Sequence, residues 1–169
     1  MDLQLVLHPD SLLRETSEKI TELGPDVVRL ADAMIEKMHG ARGIGLAGVQ
    51  VGHLQRLFVT HVEGDKPRVF INPTIIETSV EMDEYDEGCL SIPAIYADVR
   101  RPYAIRVQAW NERGRPFNLD ADGLLARVIQ HENDHLNGVL FIDHLTDAVR
   151  GDVMLDYDPA VDPATVSRR

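Results

Sequence analysis

The chain has a single cysteine, Cys89. An internal disulfide framework is therefore excluded, and the composition suits a reducing compartment. No apolar run approaches the roughly 20 residues needed to cross a bilayer. The start, MDLQLVLHPDS, lacks the basic region of a signal peptide and the Arg/Ser-rich character of a transit peptide, so the expected location is the cytoplasm. Positive charge is short as well: 17 Lys and Arg stand against 28 Asp and Glu, a net charge of −11. That balance argues against broad contact with nucleic-acid phosphates and otherwise speaks only for solubility. Glutamate does not occur after Glu132.

What is present fits one globular domain. A length of 169 residues, 44% of them hydrophobic and 27% charged, is enough to bury a core. Pro25 suits the first turn of a helix expected over residues 25–39. Val27, Val28, Ala31, Met34, Ile35 and Met38 follow at helical spacing, with Gly40 as a stop. Residues 3–20 are mixed, a short apolar start followed by HPDSLLRETSEKI (8–20), which reads as loop and turn. β-forming residues occupy 56–62 and 69–71, the second run being interrupted at Asn72-Pro73 before another strand. AIRVQAW, 104–110, alternates and turns at 111–114 toward a return strand at 115–119. Residues 120–123 read as a cap, and a second helix runs from Leu124 to a stop at Gly138. From Thr146 the aspartate-rich sequence has no strong period, and 146–169 is expected to be an acidic, partly loose tail. The fold class is α+β: short antiparallel strands packed around a central helix, plus an N-terminal helix.

The second helix carries the sharpest motif, HENDHLNG, 131–138. Leu124, Val128, His131 and His135 lie within about 40° of one another at 100° per residue. Leu125, Ile129 and Leu136 flank them, so both histidines emerge from an apolar face. Histidines one turn apart, roughly 6 Å of rise, converge on a single metal ion. Glu132 then stands beside the ion, where it can take a proton from a bound water. The bland alternative, a pair of hydrogen-bonded core histidines, does not account for the glutamate and the closing glycine.

Two histidines leave the coordination sphere unfilled. The pattern H-E-x-x-H-x-x-G-x-x-H fails because Phe141 holds its last position. A glutamate from a later helix is ruled out by the sequence. Asp143, Asp147, Asp152 and His144 remain as candidates. Upstream, EGCLSIP offers Cys89, whose thiolate suits zinc or ferrous iron; free cysteine is also an ordinary small buried hydrophobe. Gln50 is a polar residue in an apolar small-residue stretch, GIGLAGVQ, and could equally be a surface amide. That stretch also spells G-x-G-x-x-G, with Glu63 twenty residues after Gly43. A dinucleotide-binding motif must follow a strand and open a helix, however, and this one follows a helix and runs into β formers. An endoprotease and a non-catalytic peptide binder are further alternatives. The lack of a third His or Glu opposes the first, and retention of Glu132 and Gln50 opposes the second.

Three short motifs in this order, GIGLAGVQ (43–50), EGCLS (87–91) and HENDH (131–135), resemble the peptide deformylase family. The likeness extends through INP (71–73), Arg101-Pro102 and GLLARVIQHENDHLNGVLFIDHL (123–145). It implies a deformylase catalytic domain over 1–145. It implies that Cys89, His131 and His135 hold one divalent metal ion, with water as the fourth ligand. Ferrous iron is the ion it implies in the cell, with zinc, nickel or cobalt as working substitutes. In that scheme Glu132 takes the water proton while metal-bound hydroxide attacks the formyl carbon of an N-formylmethionyl nascent peptide, releasing formate. The Gln50 amide and the Leu90 N–H receive the developing oxyanion. Gly43, Gly45 and Gly88 would let a peptide approach the backbone, and Ile44, Leu124 and Val128 would wall the methionine pocket. His8, His39, His53 and His61 are left as structural or surface residues. Gly48 departs from the family's usual alanine and is expected to loosen the loop beside Gln50. Tyr96 stands where some members carry a substrate-facing arginine. An acidic tail would be repelled by RNA, so any ribosome contact is expected to use another surface.

Overall fold

The computed structural model describes residues 1–166. Helix α1, Pro25–Gly40, forms where the spacing places it, with Pro25 in its first turn and Val27, Leu30, Ala31, Met34 and Met38 buried. It is followed by β1 (Gly45–Ala47), a 3-10 turn (Gly48–Val51), β2 (Leu57–Thr60) and β3 (Arg68–Thr78). Next come β4 (Met82–Cys89), β5 (Ile92–Pro102), β6 (Ala104–Trp110) and β7 (Pro116–Asp122). The chain ends in α2 (Gly123–Leu136), α3 (Asp147–Met154) and a 3-10 turn at Pro163–Thr165.

All the strand pairs are antiparallel. β1-β2-β3-β6-β7 make one five-stranded sheet, and β4-β5 make a separate hairpin. Helix α2 runs through the middle. Ala126, Ile129 and Leu136 pack with Phe58, Phe70 and Val107 of the large sheet, while Val128, His131, Glu132 and His135 are also buried. The architecture is the expected α+β class. No helix among the described residues is long and apolar enough to cross a membrane.

Several elements differ from the sequence expectation. Asn72-Pro73 does not end a strand. Asn72 adopts φ 49° and β3 bulges there, its side chain bonding Ile20 N–H at 2.9 Å and Ile20 O at 2.8 Å. The borrowed bonds make good the broken ladder, so the strand bends and continues. Residues 120–122, expected as a cap, belong to β7.

The β4-β5 hairpin was not anticipated. β4 is mostly acidic, and the inward positions of β5 include small Ala97 and charged Arg101, which mask the alternation. The aspartate-rich segment holds α3 and then a chain of capped turns. Thr146 Oγ1 accepts from Val149 N–H, Asp158 from Ala160 N–H and Asp162 from Ala164 N–H. Caps of this kind order a chain without giving it a period. Tyr157 OH donates to His8 O at 2.6 Å and ties this segment to the N-terminal one.

Candidate active site

Three separated segments converge beside α2. Cys89 is the last residue of β4, just past a register shift at Gly88. His131, Glu132 and His135 come from α2, and Gln50 from the turn after β1. One ligand atom from each of Cys89, His131 and His135 lies within 4.8 Å of the others. Cys89 Sγ is 3.3 Å from His135 Nε2. Among the described residues no other trio of His, Cys, Asp or Glu is so arranged.

The other candidate ligands are engaged elsewhere or exposed. His144 Nε2 lies 2.9 Å from Asp134, Asp143 pairs with Arg14 and Asp147 with Arg150. Asp152 is exposed on α3.

Behind the trio is a buried ionic knot that sequence reasoning missed. Glu87 Oε1 is 2.9 Å from His131 Nδ1. Glu87 also accepts from Arg101 Nε at 2.7 Å and from Arg127 NH1, and Arg101 reaches Asp134 at 2.8 Å. Burial opposes ionisation of Glu87, but His131 and Arg101 outweigh it and hold the carboxyl far below the usual range. Such a knot adds little net stability. It does fix the His131 ring, leaving the other ring nitrogen for a ligand role. The one available signal was Arg127, a charge inside the apolar run LLARVI; Glu87 lies in acidic β4 and Arg101 beside another arginine.

The histidines themselves are pushed apart. Burial would lower His131, yet Glu132, Cys89 and Glu87 raise it well above its ordinary value. His135 is driven well below by burial and by the neighbouring charges of His131 and Arg101. Burial also pushes Glu132 up to about 7, and its Oε1 has no hydrogen-bond partner. Buried polar atoms are rarely left so. Glu132 also helps to line the cleft beside the trio.

Gln50 is oriented by its neighbours. Its Oε1 accepts from Ala47 N–H at 2.9 Å, so its Nε2 points to Ser91 Oγ at 3.1 Å and Cys89 Sγ at 3.5 Å. The N-terminal segment braces both loops: Val6 N–H donates to Gln50 O and His8 N–H to Ser91 O.

A cleft of about 660 Å³ opens onto this group. Gly43, Ile44, Gly45, Gly88, Leu90, Leu124 and Val128 all line it, as do Gln50, Cys89, His131 and Glu132. β1 is an edge strand of the large sheet. A side chain at Gly45 would collide with Glu132 Oε2 and Val128, so glycine is what lets the acid approach the strand. Gly48 does not loosen its loop as expected. The chain has closed in on it, and a Cβ there would sit 2.8 Å from His53 O and 3.0 Å from Gln55 O. The Tyr96 ring lies against Gly88. GIGLAG runs from the end of α1 into edge strand β1, not from a strand into a helix, which removes the dinucleotide reading.

A family model described as polypeptide deformylase matches residues 3–150. The chain belongs to the polypeptide deformylase family. Curated relatives named peptide deformylase include one from Agrobacterium fabrum, 47% identical over 92% of this chain and 94% of that protein. Another, from Rhodopseudomonas palustris strain TIE-1, is 46% identical over 93% of both. Among solved structures, a peptide deformylase from Synechococcus elongatus in complex with actinonin superposes with a TM-score of 0.86. It is 41% identical, with 90% of this chain and 85% of that one covered. Peptide deformylases are enzymes, and the family is metal-dependent. The trio of Cys89, His131 and His135 gives this deformylase a candidate group for holding an ion.

Proposed function

We propose that this protein removes the N-formyl group from formyl-methionine at the start of newly made proteins, by hydrolysis that releases formate. The observation that carries this reading is one cleft holding three elements. They are the Cys89–His131–His135 trio, the buried Glu132 carboxyl with an unpartnered oxygen, and the fixed Gln50 amide. One sulfur and two imidazoles suit zinc, ferrous iron, nickel or cobalt by ligand type, and ferrous iron is the proposed ion in the cell. Cys89, His131 and His135 would hold the divalent cation, which would supply Lewis acidity for ionising water and polarising the formyl oxygen.

The chain's own groups then divide the work. Glu132 removes the proton from water as oxygen bonds to the formyl carbon. The Gln50 amide and the Leu90 N–H donate to the oxygen on which charge develops, each such donor being worth roughly 3 kcal/mol in comparable sites. Glu132 hands the proton to the amine as the C–N bond breaks, and formate and a free methionine amino group leave. β1 is the edge of its sheet and Gly43 and Gly45 line the cleft beside it, so a peptide can align there as an added strand. Ile44, Leu124 and Val128 wall an apolar pocket for the methionine side chain. A formylated terminus carries no ammonium, so it enters without stripping water from a charge. The proposed location is the cytoplasm.

The test is formate release from a formyl-Met peptide by anaerobically purified protein whose metal content is measured. Stoichiometric metal with formate release supports the reading. Metal-loaded protein that releases none overturns it.

A further inference from the structure

The family model matches only as far as residue 150, yet the cleft is walled by residues beyond it. Pro163 and Val166, from the last described turn, line the same cavity as Gly43, Ile44 and Glu132. Three features hold that turn in place. Asp162 caps it by accepting from Ala164 N–H at 2.9 Å, and Thr165 Oγ1 donates to Asp162 O at 2.8 Å. Ala164 O accepts from the Arg42 guanidinium, at the end of the loop that leads into β1. Upstream, Tyr157 anchors the segment to His8 O.

The order of groups along the cleft sets what this wall can meet. Glu132 packs against Gly45, and Leu90 packs against Gly43. Arg42 follows, carrying Ala164. At about 3.3 Å per extended residue, Arg42 stands no more than roughly 10 Å from Gly45, the reach of two or three peptide residues. A cleft of about 660 Å³ is also far larger than one methionine side chain fills. The reacting carbonyl belongs beside Glu132. A peptide running back along Gly45, Ile44 and Gly43 therefore brings its second to fourth residues to Pro163 and Val166.

We infer that residues 162–166 form a subsite for the peptide beyond its first methionine, with the apolar side chains of Pro163 and Val166 setting a preference for uncharged residues there. This rests on the deformylase reading above. The C-terminal segment, on that account, takes part in choosing which nascent chains are processed fastest. Val166 is half-buried and lines the cleft, so a charge placed on it faces a bound peptide without entering the core.

The experiment compares full-length, metal-loaded wild type with Val166→Glu and Val166→Lys. Each is assayed for formate release from formyl-Met tetrapeptides bearing Lys or Glu at the second, third or fourth residue. The ratio of kcat/KM for Lys- over Glu-bearing peptides should rise in Val166→Glu and fall in Val166→Lys, each by about three- to fivefold, at one of those positions. A ratio that stays at the wild-type value in both variants overturns the inference. A general folding defect lowers both rates and leaves the ratio alone, which the opposite-sign pair distinguishes. If wild type releases no formate from any peptide, the deformylase reading itself fails. Arg42→Leu, which unties Ala164, gives a second measure. It should weaken the charge-dependent shift when combined with Val166→Glu, and an undiminished shift counts against the segment's placement.

Discussion

Glu87 Oε1 lies 2.9 Å from His131 Nδ1, with Arg101 clamped to the same carboxylate. The carboxylate fixes both the rotation and the tautomer of an imidazole in the candidate ligand trio. Partners of this kind are commonly worth ten- to a hundredfold in metal affinity. Glu87→Gln should weaken binding by about that factor while the fold survives, because an amide still bonds the ring but leaves Arg101 and Arg127 less well balanced. Metal titration with a competing chelator measures it, and unchanged affinity would remove the knot from the account of the site.

Glu132→Gln separates proton transfer from metal holding. The variant should keep a full complement of metal and lose roughly 10²- to 10⁴-fold in kcat. Single-turnover formate release with parallel metal analysis is the check. A rate near wild type would show that another group takes the proton.

Metal dependence gives a third prediction. Preparations exposed to oxygen should lose activity and regain it with nickel, since ferrous iron is oxidised and nickel tolerates the same ligands. Full activity in protein stripped of all metal would contradict the reading.

Gly48→Ala restores the residue usual in the family, yet it should destabilise this chain. The added methyl would meet His53 O, Gln55 O and Leu57 Cδ2 at 2.8, 3.0 and 3.1 Å, two of them rigid backbone. A cost of about 1–3 kcal/mol is expected for such crowding. Urea denaturation read by circular dichroism would show it as a lower midpoint, and a gain in stability would mean the loop relaxes freely.

Acid should weaken the Arg14–Asp143 tie between the 3-10 turns Ser11–Arg14 and Phe141–His144. Burial of Asp143 opposes its ionisation, but Arg14 and the Leu140 N–H prevail and hold its carboxyl below the ordinary value. A depressed folded-state pKa gives stability that is present above the unfolded carboxylate value. That stability disappears as pH falls through the lower folded value. The pair is partly exposed, so roughly 0.5–1 kcal/mol is at stake. Asp143→Asn should therefore cost that amount at pH 7 and nothing near pH 2. An equal cost at both values would assign the effect to the lost capping bond alone.

Local patterns announced α1, α2, β6 and the three motifs, because each depends on spacing within a few residues. The grouping of Cys89, His131 and His135 was legible in part: His131 and His135 share a helical turn, while Cys89 stood among several candidates until the family resemblance singled it out. What stayed hidden depends on distant partners. Glu87, Arg101 and Arg127 look like surface charges until the fold brings them together. Asn72 looks like a strand breaker until Ile20 supplies its missing bonds. Gly48 looks like a loosened loop until the carbonyls of residues 53 and 55 are seen against it. The order in residues 146–166 is written in Thr and Asp caps, which no hydrophobic period reveals.

The brace from Val6 to Gln50 and from His8 to Ser91 joins the first residues made to loops that receive their histidines only from α2. A copy made only as far as residue 100 thus owns Cys89 and Gln50 but neither His131 nor His135. Such a copy lacks the complete Cys89–His131–His135 trio until His135, about four-fifths of the way along the chain, has been added, so the proposed cation loading would be a late event in the protein's own birth.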